Sequence, residues 1–470
     1  MSSDKPDLSG RVETDLLGEK RIPADALWGI HTARALENFT VSGRPVHTEL
    51  IRAMLDVKRA CAATNRDLGY LDPAVAAAIQ AACDDLGAGT LPGPIAVDSL
   101  QGGAGTSFNM NINEVVANLA EERLGGRRGD YRRVDPIGHV NLHQSTNDTF
   151  PTALKIAAIR LLRRLEPAIA TLQSAFQDKE RAFADIVKIG RTQLQDACPI
   201  TVGAEFSAWA EALSRDRWRV FKCEERLRVV NLGGTAIGTG MAAPQRYIFQ
   251  VVETLRAMTG LGLARAENLV DATQNADSFV EVSGILKAHA VNLFKISSDL
   301  RLLSSGPKTG FGEIRLPPVQ AGSSIMPGKI NPVICEAVGQ AALQVMGNDT
   351  VVGLAAQSGQ LELNAFLPLL AQALLDSLSQ LEAACTMFRC RCIEGLSVDN
   401  AQCQRHVAES WAVVVALVGR LGYDTASAIG HEARETGKSV TQIVSERGLL
   451  DPTTLEQLLS ADAMTALGHR

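Results

Sequence analysis

The stretch AEFSAWAEALSRDRWRVFKCEERL, residues 204–227, decides the fold. Within it Phe206, Trp209, Leu213, Val220, Cys223 and Leu227 recur at steps of three, four, seven, three and four, while Glu211, Arg215, Arg217 and Glu225 fall between them. Steps of three and four keep side chains on one face of a helix with 3.6 residues per turn, so the spacing predicts one long helix with a single buried stripe. Outward from it, Ala- and Leu-rich segments of the same kind run through about 152–187, 276–304, 333–356 and 366–394. Together these long helices predict a bundle. Pro167 falls inside the first of them and is expected to restart a helix at its first position, where the missing N–H costs nothing. Strand-like alternation is weak throughout, Gly87–Pro94 reads as a loop, and there is no internal repeat or low-complexity tail.

Composition bounds the function without naming it. At roughly 150 residues per folding unit, 470 residues predict about three units. Forty-six Lys plus Arg against fifty-two Asp plus Glu leave a net charge of −6, which removes the basic footprint of a nucleic-acid binder. Aromatic residues make up only 4%, so base-stacking platforms are scarce as well. The longest apolar runs, such as Trp411–Val418, are far shorter than the ~18 residues of a membrane span. The opening MSSDKPDLSGRVETD is polar and mixed in charge, unlike a secretory signal. Nine cysteines, an odd number spread through the chain, fit reduced thiols better than a disulfide framework. The expectation is a globular cytoplasmic enzyme with neither nucleic acid nor membrane as partner.

Between the predicted helices lie five polar, glycine-punctuated segments. They are Gln101-Gly-Gly-Ala-Gly-Thr106-Ser107 with Asn109, Asn111 and Asn113; His139-Val-Asn-Leu-His143-Gln-Ser145-Thr146-Asn147-Asp148; Gly190-Arg-Thr192-Gln193-Leu-Gln-Asp196; Asn231–Gly240; and Ala321–Pro332. Taken singly, each has an ordinary structural reading. Ser145–Asp148 suits a helix N-cap, Gly102–Gly105 a tight turn without the Lys-Ser/Thr of a phosphate loop, and Gly322–Pro332 a surface loop. Taken together, uncharged hydrogen-bonding groups plus one Lys suit a small carboxylate held by hydroxyls, amides and a cation. Metal chemistry is disfavoured: His139 and His143 lack a third ligand at suitable spacing, and Cys390-Arg-Cys392 lacks a second pair. No Gly-x-Ser-x-Gly surrounds Ser323, which disfavours a serine hydrolase.

These segments resemble the aspartase/fumarase superfamily over nearly the whole chain, most closely its aspartate ammonia-lyase branch. Gly322-Ser-Ser-Ile-Met-Pro-Gly-Lys-Ile-Asn-Pro332 resembles the superfamily's long, specific loop. Glu13–Gly18, Pro23–Asp25, Gly29–Thr32, Gln101–Ser107, Gln144–Asp148, Arg191–Asp196 and Gly359–Asn364 also read as aspartase-like. The resemblance implies a mainly α, three-domain subunit with a central long-helix bundle: an N-terminal domain 1–145, a bundle domain 146–398 and a small helical domain 399–470. It implies a homotetramer whose active sites are each shared among three subunits, and a reversible elimination of ammonia from an amino-acid dicarboxylate to give fumarate. It implies no organic cofactor. Some members take a divalent-cation activator, but no acidic cluster here marks such a site.

By matched position, Ser323 is implied as the base that removes the C3 proton. Thr106, Ser145 and Thr146 are implied to grip the reacting carboxylate, and Lys329 and Asn331 to bind carboxylate from the loop side. Asn147, Thr192 and Gln193 are implied near the amino end, and Ser324 at a further substrate contact. Such a site has a clear physical task, because deprotonation beside a carboxylate puts two negative charges on one group. Preorganised donors aimed at such charge are worth about 2.7–4 kcal/mol each. Serine is a poor base in water, so a loop that closes over substrate and supplies N–H donors is apt. Glu336 is a candidate to orient Lys329, with a helix-terminal carboxylate as the ordinary alternative.

Two positions separate alternatives within the superfamily. Fumarase-type members carry His where this chain has Gln193, and an amide has no accessible pKa for proton transfer, which disfavours fumarate hydratase. After Gly238-Thr-Gly240 the superfamily usually continues Leu-Asn-Thr, whereas this chain has Met241-Ala242-Ala243. That difference keeps open a related ammonia-lyase for a different or modified amino acid. A non-catalytic homologue retained for binding is the alternative from another class, opposed by the intact Ser323, Lys329 and Asn331.

Overall fold

The computed structural model describes residues 10–89, 93–466 and 468. Part of the expected Gly87–Pro94 loop and most of the polar opening segment lie outside the described residues. Strands β1 (Arg11–Asp15) and β2 (Gly18–Ile22) precede α1 (Ile30–Asn38), α2 (Thr48–Asp67), α3 (Pro73–Gly87) and α4 (Thr106–Arg123). A π-helical turn at Pro136–Val140 leads to α5 (Thr146–Ala182), followed by β3 (Val187–Thr192), β4 (Gln195–Thr201) and α6 (Val202–Leu227). Next come β5 (Val229–Val230), α7 (Gln245–Thr259), β6 (Ala264–Arg265), α8 (Leu269–Gln274) and α9 (Asp277–Leu303). Then follow β7 (Ile314–Arg315), α10 (Val333–Gln357) and α11 (Leu367–Phe388), which runs into a π-helical turn at Arg389–Ile393. The remaining elements are β8 (Ser397–Val398), α12 (Asn400–Glu409), a 3₁₀ segment at Trp411–Leu417, and short helices between Val418 and Thr465.

The mainly α expectation holds, and the stripe of α6 is the clearest case. Phe206, Trp209, Leu213, Val220, Cys223 and Leu227 are all buried, while Glu211, Arg215, Arg217 and Glu225 are exposed. Three expectations need correction. Pro167 does not restart a helix; it lies inside the continuous α5, where packing along a 37-residue helix outweighs the loss of one backbone hydrogen bond. That helix stops at Ala182, not near 187, because Val187 already belongs to a strand. Weak alternation concealed two antiparallel hairpins, β1–β2 and β3–β4, whose short strands mix polar and apolar residues too irregularly to show period two. The pairs β5–β6 and β7–β8 are only two residues long on each strand.

Contacts divide the chain into two units, with boundaries falling inside α5, α6, α9, α10 and α11. The first comprises Met1–Glu166, Arg219–Ala288 and Gln344–Leu381. In it α2 packs on α3 and α7, and α4 packs on α1 and α3. Met54, Val57 and Cys61 of α2, Ile79 of α3, and Phe108, Ile112 and Val115 of α4 are fully or nearly fully buried. The second unit comprises Pro167–Trp218, His289–Leu343 and Glu382–Arg470. Phe176 packs against Phe206, Trp209 and Phe388 with ring centroids 5.7, 6.1 and 6.0 Å away. A second core joins Ile189 of β3 to Val413, Leu417, Ile429, Ile443, Val444 and Leu455. The β3–β4 hairpin, which carries Thr192 and Gln193, is thereby seated on the C-terminal helices.

Phe176 is fully buried among aromatic rings. Its replacement by Ala is expected to cost about 3–5 kcal/mol of stability, read as a lower urea-unfolding midpoint. An unchanged midpoint would contradict this packing.

Candidate active site

The candidate residues fall into two groups, one in each unit. In the first, Ser145 immediately precedes α5, and its hydroxyl oxygen accepts from the Asn147 N–H at 3.2 Å. Asp148 accepts from the Ser145 N–H at 3.0 Å, which completes a reciprocal cap. The capping reading of Ser145–Asp148 is therefore correct, and it does not exclude the catalytic one. With its oxygen accepting, Ser145 still has an O–H to donate. Thr146 is in the same position: its Oγ1 accepts from Asn109 Nδ2 at 3.1 Å, so its own proton is available. Two hydroxyls thus stand at a helix N-terminus, where the backbone also favours an anion.

Thr106 opens α4 after Gly105, which adopts φ +94°. A side chain at Gly105 would also meet the Phe150 ring, with its Cβ only 2.3 Å from the nearest carbon, so glycine is required there on both counts. The Thr106 hydroxyl is exposed and donates to Gly103 O at 2.7 Å. Gripping a substrate requires it to exchange that turn hydrogen bond. Asn147 Nδ2 donates to Ala236 O at 2.7 Å, tying the start of α5 to the 231–243 segment.

Asp148 strengthens that tie. Its carboxylate is fully buried and accepts from the Gly233 and Thr235 N–H groups at 3.1 and 2.9 Å. Burial pushes its pKa up to about 7 against those amide donors. Thr235 in turn donates from its hydroxyl to Met241 O at 2.9 Å. Met241 is 78% exposed, and Ala242 sits at φ +69°, a left-handed conformation that suits Gly or Asn better than Ala.

Beneath the α5 N-terminus lies a residue that the sequence reading missed. Lys58 of α2 is fully buried and donates to Asn141 Oδ1 at 3.0 Å and Gln144 Oε1 at 2.8 Å. Asn109 and Asn113 both donate to the same Asn141 oxygen at 3.2 Å. The same Asn109 amide holds Thr146, so a buried ammonium and a carboxamide web fix the position of the Thr146 hydroxyl. Burial pushes the Lys58 pKa down to about 8. One signal was available: a Lys on the face of α2 otherwise formed by Met54, Leu55, Val57 and Cys61.

The second group contains the 322–332 loop and the β3–β4 turn. The loop closes on itself, because Gly322 N–H donates to Lys329 O at 2.8 Å and Asn331 Nδ2 donates to Gly322 O at 2.7 Å. A Cβ at Gly322 would lie 2.4 Å from Lys329 O, which explains the glycine. Ser323 Oγ accepts from the Met326 and Ile325 N–H groups at 2.9 and 3.2 Å. Two amide donors on one serine oxygen favour its alkoxide form, the state a serine base requires. Ser324 and Lys329 are exposed on the same loop. Glu336 makes its ion pair with Arg301 at 3.9 Å, not with Lys329.

Thr192 ends β3 opposite Gln195, and Gln193 and Leu194 form the turn between them. The residues brought together locally are therefore Ser145, Thr146 and Asn147 in one unit, and Ser323, Ser324, Lys329 and Asn331 in the other. Among the described residues no cluster of three or more His, Cys, Asp or Glu could hold a metal ion, and no helix is long and apolar enough to cross a membrane.

The family described as Lyase matches residues 18–347, and the family described as Fumarase C C-terminus matches residues 413–466. The chain is 47% identical to the aspartate ammonia-lyase of Pseudomonas aeruginosa over 98% of each chain. It is 44% identical to that of Bacillus subtilis over 97% of this chain and 96% of the relative. Among solved structures it resembles the fumarate lyase:delta crystallin of Brucella melitensis bound to cobalt. The TM-score is 0.94 at 47% identity, covering 97% of this chain and all of that one.

The Lys58 environment predicts a pH signature in stability. Its folded pKa of about 8 lies below the ordinary lysine value of 10.5, so between these values the unfolded state binds more protons. Stability from this group is therefore present above pH 10.5 and lost as pH falls through 8. Relative to Lys58→Met, the natural protein should gain up to about 3 kcal/mol over that range in denaturant unfolding. Parallel pH profiles for the two proteins would contradict a buried, ionised Lys58.

Proposed function

This chain belongs to the aspartase/fumarase family of lyases, and from that premise we propose that it deaminates L-aspartate reversibly to fumarate and ammonia. The observation that carries the reading is the closed 322–332 loop, with Ser323 Oγ held by two amides and Lys329 and Asn331 on the same turn. In this proposal Ser323, as the alkoxide, takes the C3 proton. The C–H electron pair moves into the adjacent carboxylate, which becomes a doubly charged aci-carboxylate. Thr106, Ser145 and Thr146 donate to that group. Collapse of the pair then forms the C2–C3 double bond and breaks the C2–N bond, so that a substrate entering as an ammonium leaves as neutral ammonia. Lys329 and Asn331, with Ser324, hold carboxylate from the loop side, and Asn147, Thr192 and Gln193 stand at the amino end.

The proposal includes the three-domain division at 1–145, 146–398 and 399–470, and a homotetramer in which three subunits complete each site. A shared site accounts for candidate groups carried on widely separated segments. The reaction as written needs no organic cofactor, and the enzyme is proposed to work in the cytoplasm. One observation keeps a second reading alive. Exposed Met241 beside the left-handed Ala242 leaves the 241–243 turn less polar than is usual in the family, which favours a larger or less polar amino acid as substrate. Gln193 stands against water addition, because it cannot exchange a proton near neutrality.

The test follows fumarate by ultraviolet absorbance with L-aspartate, then L-malate and a panel of amino acids. Fumarate from aspartate alone is expected, and ammonia from another amino acid without turnover of aspartate would overturn the assignment. Ser323→Ala should keep substrate binding and lower kcat about 100- to 10,000-fold, the range of a general base. Full activity in that variant would remove Ser323 as the base.

A further inference from the structure

The Gln193–Leu194 turn is strained and clamped from both strands. Its two residues have φ +53° and +61°. A two-residue hairpin loop with both φ positive normally takes Asn-Gly, and side chains there cost about 1–2 kcal/mol each. Something must hold this geometry, and strain of this kind gathers where positioning matters. Arg191 and Asp196 form the cross-strand pair next to Thr192 and Gln195. Arg191 is bound by Glu313, whose Oε1 lies 2.8 Å from its guanidinium, and its guanidinium stacks 4.1 Å from the Phe311 ring centroid. Asp196 accepts from Ser410 Oγ at 2.7 Å.

Glu313 is 1% exposed in its side chain and gathers more than one partner. Lys188 Nζ lies 3.0 Å from its second oxygen, and His406 Nδ1 lies 2.8 Å from its first. Its backbone is held too: Glu313 N–H donates to Leu303 O and Glu313 O accepts from Asp399 N–H. The Glu313 carboxylate thus joins β3 to α12, and its backbone ties both to the end of α9, eight residues before the Ala321–Pro332 loop begins. Lys188 also pairs with Glu205 at 2.7 Å, so the cluster balances two carboxylates against Lys188 and Arg191.

We propose that Glu313, acting through Arg191, is a positioning residue that presents Thr192 and Gln193 to the amino end of the substrate, with Ser410 holding the opposite strand through Asp196. This rests on the ammonia-lyase reading. It adds residues that touch no substrate and lie outside the matched loop. The consequence is selective: loosening the clamp disturbs recognition of ammonia and leaves the carboxylate contacts of fumarate in place.

The experiment measures KM for ammonia and for fumarate separately in the addition direction. The full-length protein is compared with Glu313→Gln, Glu313→Asp and Ser410→Ala. No fumarate-dependent ammonia uptake by the natural protein would defeat the functional reading itself. Given activity, Glu313→Gln should raise the ammonia KM about tenfold or more, the worth of a charged hydrogen bond, with fumarate KM held within about twofold. Glu313→Asp should recover part of that loss. Ser410→Ala removes one hydroxyl and leaves the charges intact, and should raise the ammonia KM about threefold. Equal shifts in both KM values would overturn the proposal. Should Glu313→Gln fail to fold, Ser410→Ala decides, and a natural ammonia KM in that variant overturns it.

Discussion

A buried carboxylate with backbone partners holds the α5 N-terminus and the 231–243 segment of the first unit together. Asp148 accepts from the amides of Ser145, Gly233 and Thr235, so the first turn of α5 and the 231–243 segment cannot move independently. Leaving such a group in low dielectric is costly unless its hydrogen bonds are made. Here they are made to backbone, which converts a burial cost into a geometric constraint. The hydroxyls of Ser145 and Thr146 inherit that constraint, and each accepts an internal N–H while keeping its own proton to donate.

The same economy recurs in the second unit. Asn331 spends one N–H on closing the loop, Ser323 accepts two amides, and Arg191 is held by Glu313 while its neighbours form the turn. Groups with structural work are also the groups with candidate chemistry. Structural and catalytic readings of Ser145–Asp148 are therefore not rivals, since an N-cap that uses a serine oxygen leaves the serine proton for an anion.

Much of this was legible in the sequence. The 3.6-residue stripe of α6 needed only the spacing of Phe206, Trp209 and Leu213, because a helix that buries one face must repeat at that interval. The polar segments stood out as candidate carboxylate-binding material because several clusters of hydroxyls and amides between apolar helices exceed what capping alone requires. What stayed hidden depends on tertiary context. Pro167 is carried through α5 because packing along 37 residues outweighs one missing hydrogen bond. The β3–β4 hairpin lacks clean alternation because the C-terminal core, not its own pattern, buries Ile189. Lys58 stands on the apolar face of α2, which signals burial but not its partners, and Glu313 had no motif at all. Their roles arise from partners 83 and 122 positions away, Asn141 and Arg191 respectively.

The proposed chemistry requires these hydroxyls, amides and Lys329 to hold one dicarboxylate amino acid. A crystal structure of Ser323→Ala soaked with L-aspartate tests it most directly. The expected result is one carboxylate against Ser145 and Thr146, the other against Lys329 and Asn331, and the amine beside Asn147, Thr192 and Gln193. Aspartate bound away from those hydroxyls, or oriented with its amine against Lys329, would contradict it.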